Sequence, residues 1–150
     1  MNHIIVEDKL RDTNPVPVVI AFTPNYFIPA STCLYSIFAS LDIEEQMHVI
    51  CLLSEELPDR LKQKIQLIGG ERAQYSFINL QGRLQNIYID AKYTEAASYR
   101  LLLPDLLPEY DKVMYIDCDI IVRNNLVKLY RSVDLGNHYL AAVFEAPMDF

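Results

Sequence analysis

Glycine is scarce in this 150-residue chain, with Gly69, Gly70, Gly82 and Gly136 making up the whole complement. Neither GxGxxG nor GxxxxGK[ST] occurs, and the loop after the first predicted strand reads TPNYFIP. Dinucleotide-binding dehydrogenases and P-loop nucleotidases, which cradle phosphate on a glycine-rich backbone, are thereby sharply disfavoured. Cysteine is equally sparse: Cys33, Cys51 and Cys118 are odd in number, widely spaced and set in apolar sequence, so neither a disulfide framework nor a metal knuckle is expected. They read as reduced core residues. No apolar run approaches the ~18 residues of a membrane span, and MNHIIVEDKL carries acids where a secretory signal would be basic. The expected location is therefore the cytoplasm. Positive charge is also in deficit, at 13 Lys and Arg against 20 acids for a net charge of −7, which opposes unaided binding to nucleic acid or to an anionic membrane. A phosphate-bearing ligand would need its countercharge supplied locally.

What is present is a chain that is 51% hydrophobic and 22% charged, enough to build one domain with a real core. Residues 15–23, PVPVVIAFT, are β-branched and apolar on both faces, as in a buried parallel strand. Pro29 then suits the first turn of a helix on which Leu34, Ile37, Phe38 and Leu41 recur at i, i+3, i+4 and i+7. A second strand is predicted over MHVICLL, residues 47–53. Ser54 is the expected N-cap of a second helix burying Leu57, Leu61, Ile65 and Ile68, with Gly69 and Gly70 as its left-handed stop. YSFINL, residues 75–80, reads as a third strand. Residues 81–93 are ambiguous, and a helix is expected from Thr94 and Glu95 through Arg100 toward Pro104. KVMYIDCDIIVRN, residues 112–124, reads as a fourth strand and HYLAAVFE, residues 138–145, as a fifth. This order predicts an open, mostly parallel α/β sheet with ligands beyond the carboxyl ends of its strands.

Asp117 and Asp119 lie at such an end. In an extended segment both would share a side with Tyr115, and two carboxylates about 6 Å apart repel by roughly 3 kcal/mol at an effective dielectric of about 20. A hard divalent cation such as Mg²⁺ or Mn²⁺ would convert that cost into a site, completing its shell with water and a diphosphate. The alternatives are that the aspartates end the strand, cap the turn at Asn124 and Asn125, or pair with Arg123. Arg100, within YRLLLPDLL, is the best basic candidate for a phosphate, or else a residue snorkelling from a helix flank. Asn25 and Tyr26 offer an amide and a ring to a base or ribose, or form a turn with a packed aromatic.

VVIAFTPNYFIPASTCLYSI, SYRLLLPDLLPEYDKVMYIDCDIIV and LAAVFEA, in this order across about residues 16–146, resemble the amino-terminal half of family 8 glycosyltransferases. That group includes bacterial lipopolysaccharide galactosyl- and glucosyltransferases and is related to glycogenin. The resemblance implies a GT-A fold, and transfer of a hexose from UDP-galactose or UDP-glucose to a saccharide or lipid-linked saccharide acceptor, with retention and with Mn²⁺ or Mg²⁺. It implies metal binding by Asp117 and Asp119, with Asp117 also holding the nucleotide, and nucleoside contacts from Ala21, Thr23 and Asn25. Arg100 would lie near the diphosphate and donor sugar, and Glu145 would face that sugar as an acid. Thr23 stands where the family commonly has an acid. The later half of the family's domain supplies a metal-binding histidine and most acceptor contacts, and His3, His48 and His138 do not match that histidine. The resemblance thus leads us to expect an amino-terminal part of the enzyme without full activity, and any attachment to the inner membrane through later segments. Apolar surface left exposed on such a part leads us to expect self-association into a homo-oligomer. The alternatives are a nucleotidyltransferase of similar fold or a non-catalytic assembly module.

Overall fold

The hydrophobic pattern folds into a four-stranded parallel sheet, seen in a computed structural model that describes residues 14–84 and 95–143. The strands are β1 (Val16–Phe22), β2 (Met47–Leu53), β3 (Ala73–Asn79) and β4 (Met114–Ile116), in the order β3-β2-β1-β4. Every residue of β1 is buried, which is why VPVVIAF shows no alternation: helices cover both of its faces. β1 and β2 pair from Val16 opposite Met47 to Phe22 opposite Leu53. β4 pairs with β1 from Val18 opposite Met114 to Ile20 opposite Ile116, beginning one residue after Pro17, which has no N–H to offer a second neighbour.

On one face lies α1 (Phe27–Ala39), whose Ala30, Cys33, Leu34, Ile37 and Phe38 are buried at helical spacing. Fully burying each of the large aliphatic side chains contributes about 1.5–3 kcal/mol. α2 (Asp59–Gln66) and α5 (Leu126–Ser132) pack into the same cluster through Ile65, Leu126 and Val127. The opposite face is covered by residues 95–106, where α3 (Glu95–Ser98), a 3-10 turn (Tyr99–Leu102) and α4 (Leu103–Leu106) follow one another. Ala96, Tyr99 and Leu103 pack there against Val19, Ala21, Ile50 and Leu52. Tyr99 is fully buried, and its hydroxyl donates to the Leu80 carbonyl at 3.3 Å. The three cysteines are free and buried, as expected. Among the described residues no helix is long and apolar enough to cross a membrane.

The structure corrects three local readings. Ser54 caps nothing: α2 starts at Asp59 after Pro58, and the Ser54 hydroxyl is buried without a partner. The fourth strand covers only residues 114–116, because the chain turns at Cys118 and Asp119 instead of continuing extended to Asn124. The fifth strand is absent over residues 138–143, where Tyr139, Leu140 and Val143 are exposed, while residues 144–145 lie outside the described residues. An apolar alternation signals that something should cover it, and no neighbouring strand among the described residues does. Helix α5 had no counterpart in the sequence reading. Its signal was Asn125, whose side chain accepts from the Lys128 N–H at 3.0 Å, placed just before an apolar run.

At the amino ends of the strands, His48 Nδ1 meets the Tyr110 hydroxyl and Nε2 lies 2.8 Å from Ser76 Oγ. Burial lowers the His48 pKa below its ordinary value of 6.5, against the opposing pull of Glu109. The unfolded chain then binds the proton more readily, so this residue's stabilisation is complete above pH 6.5 and is lost as pH falls below it. Thermal melts should show stability falling from neutral to mildly acid pH with a slope that His48→Asn reduces. An unchanged slope would remove His48 from the account.

Candidate functional site

In the strand order β3-β2-β1-β4 the winding reverses between β1 and β4, and the crevice beyond the carboxyl ends of those two strands is where an open α/β sheet binds ligands. Ile20 pairs with Ile116, so Asp117 leaves the sheet beside Ala21. Ala21 is buried in β1 with its side chain in the core. Thr23 precedes a 3-10 turn (Pro24–Tyr26), and Tyr26 N–H donates to the Thr23 carbonyl at 2.8 Å. Asn25 and Tyr26 are exposed on that turn, just past the carboxyl end of β1.

From the other side comes Arg100. Its neighbour Tyr99 is anchored in the core, and the 3-10 turn presents the Arg100 side chain over β4. The guanidinium carbon sits 4.7 Å from the centroid of the Tyr115 ring, Nε donates to the Ala97 carbonyl at 2.7 Å, and one terminal nitrogen lies 3.5 Å from the Asp117 carboxylate. Asp117 therefore pairs with Arg100 rather than with Arg123. Tyr115, placed on the side of the aspartates by the sequence, was given no role there. Its signal was available, since alternation puts residues 115 and 117 on one side of an extended strand. A planar cation stacked on a ring and held by a backbone carbonyl is restricted in orientation, and lysine could not substitute for it.

Asp117 and Asp119 are both solvent-exposed, with the buried Cys118 between them. Cys33 in α1 lies 3.7 Å from the Asp117 carbonyl and can donate its thiol hydrogen. Burial, reinforced by their mutual proximity and by Asp119, raises Cys33 to about 11. Burial and Asp119 raise Cys118 likewise to about 11, so both thiols stay protonated at neutral pH. Two exposed carboxylates at a strand end fit a hard divalent ion that keeps open positions. Among the described residues no cluster of three or more His, Cys, Asp or Glu side chains suited to a metal forms. His48 is engaged by Tyr110 and Ser76 at the opposite end of the sheet, His138 rests against the Leu135 carbonyl, and His3 and Glu145 lie outside the described residues.

A parallel α/β sheet with flanking helices, shared with a solved glycosyltransferase, defines the class, a GT-A glycosyltransferase fold. The chain belongs to glycosyl transferase family 8, whose model matches residues 17–149. Among similar proteins, general stress protein A of Bacillus subtilis (strain 168) is 23% identical over 140 residues, covering 91% of this chain and 49% of that protein. The apo structure of the bifunctional glycosyltransferase WbbM superimposes with a TM-score of 0.70 at 25% identity, over 91% of this chain and 23% of WbbM. The galactosyltransferase LgtC, in complex with donor and acceptor sugar analogs, superimposes with a TM-score of 0.62 at 24% identity, over 81% of this chain and 44% of LgtC. The chain thus spans about half the length of general stress protein A and less of the two solved relatives.

Proposed function

We propose that this chain carries the donor-binding elements of a metal-dependent, retaining hexosyltransferase that takes its sugar from UDP-galactose or UDP-glucose and delivers it to a saccharide acceptor. The observation that carries this reading is the convergence of Arg100 and Asp117 at the β1–β4 switch point in a family 8 chain without a glycine-rich phosphate loop. LgtC, seen with donor and acceptor sugar analogs, has the same fold and supports the substrate class.

Asp117 and Asp119 would hold Mn²⁺ or Mg²⁺, which when bound offsets the charge of the donor diphosphate. Thr23 and Asn25 border the place of the nucleoside on the β1 side. Arg100, seated on Tyr115, presents its remaining N–H groups to the diphosphate from the β4 side. As the bond from the anomeric carbon to the diphosphate oxygen breaks, negative charge grows on the departing UDP. A fixed guanidinium then stabilises the transition state more than the bound donor. In this assignment Asp117 restrains Arg100 before the donor arrives. Glu145 remains the proposed acid facing the donor sugar.

Calorimetric titration with UDP-galactose and UDP-glucose, with and without Mn²⁺, tests the proposal. Ion-dependent binding of a UDP-sugar is expected, and binding of neither donor in the presence of Mn²⁺ would sink it. Arg100→Ala should weaken the interaction by about 10- to 100-fold, as expected for one or more lost charge-assisted hydrogen bonds. Arg100→Lys should fall between, since it keeps the charge without the planar stack.

A further inference from the structure

Residues 117–125 form neither strand nor helix, yet they carry both aspartates, so their backbone must find hydrogen-bond partners elsewhere. Helix α1 and its C-cap residue Ser40 supply them from one face. Cys33, Ser36 and Ser40 stand at i, i+3 and i+7 and all turn toward this segment. The Cys33 thiol faces the Asp117 carbonyl at 3.7 Å, Val122 N–H donates to Ser36 Oγ at 2.9 Å, and the Ser40 hydroxyl, whose one hydrogen is shared with the Ile37 carbonyl at 2.8 Å, lies 3.2 Å from the Asn124 carbonyl. The three contacts join residues 84–86 positions apart. Ser36 is fully used: its own hydroxyl hydrogen goes to the Cys33 carbonyl at 2.7 Å, which aims an oxygen lone pair at Val122.

From this geometry we infer that α1 is a positioning element for the aspartate pair and that Ser36 is its principal positioning residue. Asp119 lies between the points held by Cys33 and Ser36, so the turn that carries it is fixed on both sides. The same helix begins directly after the 3-10 turn that holds Asn25. One rigid element therefore sets the β1 loop and the aspartate loop, the two walls of the crevice, relative to each other. A serine with a merely structural role would change stability and leave ligand affinity alone; a positioning serine changes affinity through loop order.

The inference rests on the proposed donor site, and the test separates the two. Amide hydrogen exchange in the ligand-free chain reads the clamp, and titration with UDP in the presence of Mn²⁺ reads its consequence. In Ser36→Ala the Val122 amide should exchange at least about tenfold faster while Ile50 in β2 is unchanged, and UDP affinity should fall by about 5- to 10-fold. Ser36→Thr, which keeps the hydroxyl, should restore both. Ser40→Ala, acting at the Asn124 end, provides a second variant should Ser36→Ala fail to fold. Wild-type affinity in the alanine variants, an unchanged Val122 rate, or no recovery with threonine overturns the inference. If the unaltered chain binds no UDP with Mn²⁺, the donor-site reading falls and takes this inference with it. Tight binding by both wild type and Ser36→Ala removes the inference alone.

Discussion

Asp119→Asn is expected to weaken Mn²⁺-dependent UDP binding by more than about 100-fold, beyond the 10- to 100-fold typical when an outer-shell partner of a metal is lost. The substitution keeps the shape of the side chain and removes one of the two carboxylates proposed to hold the ion. Folding should hardly respond, because Asp119 is exposed and surface substitutions of this kind fall within about 0.5 kcal/mol. Asp117→Asn is a less clean experiment, since it also releases Arg100 from its 3.5 Å ion pair. Calorimetry with the ion omitted supplies the control: wild type and Asp119→Asn should then be equally weak. Unchanged affinity in Mn²⁺ would take Asp119 out of the metal shell.

The second large effect concerns folding. Gly69 stops the α2 segment at φ +84°, and a Cβ built there would stand 2.8 Å from three atoms of the Phe38 ring. Phe38 is buried at the end of α1, with the Arg72 guanidinium 5.9 Å from its centroid, so the ring has little room to withdraw. Gly69→Ala should cost about 1–2 kcal/mol for the left-handed backbone and a further 1–3 kcal/mol or so for overpacking. That is a large share of the roughly 5–15 kcal/mol that holds a domain together. Gly70, also left-handed at φ +56°, has nothing within 4 Å of its Cβ position, so Gly70→Ala should lose the backbone share alone. Urea unfolding of the two variants decides the matter, and equal losses would show that the Phe38 contact is immaterial.

Legibility in the sequence tracked the range of the interaction. The buried strands, the α1 stripe and the Gly69 stop were readable because each is written in adjacent residues: a β-branched run, a 3.6-residue period, a pair of glycines. β4 was overextended because apolar residues on both sides of Asp117 and Asp119 mask the turn at Cys118 and Asp119. Ser54 lost its capping role because Pro58, with its fixed φ and missing N–H, offers a later helix start. Arg100 and Asp117 could each be singled out as an ion lodged in apolar sequence, but their meeting, 17 residues apart on different elements, depends on the sheet winding. The Ser36 contact with Val122 was invisible for a stronger reason. A serine in a helix has many satisfied states, and only the tertiary fold selects one.

The modest length of β4 has a kinetic meaning. β1 shares seven register pairs with β2 but only three with β4, and β4 can dock only after the long crossover through residues 80–113 has closed. Loop-closure entropy is spent there before contacts repay it, so β4 is expected to dock after the β1–β2 pair. The strand that delivers Asp117 is thus the one whose native position most needs reinforcement. A ligand gripping the aspartates would supply it by mass action, so donor occupancy and closure of the sheet edge become two readings of one equilibrium.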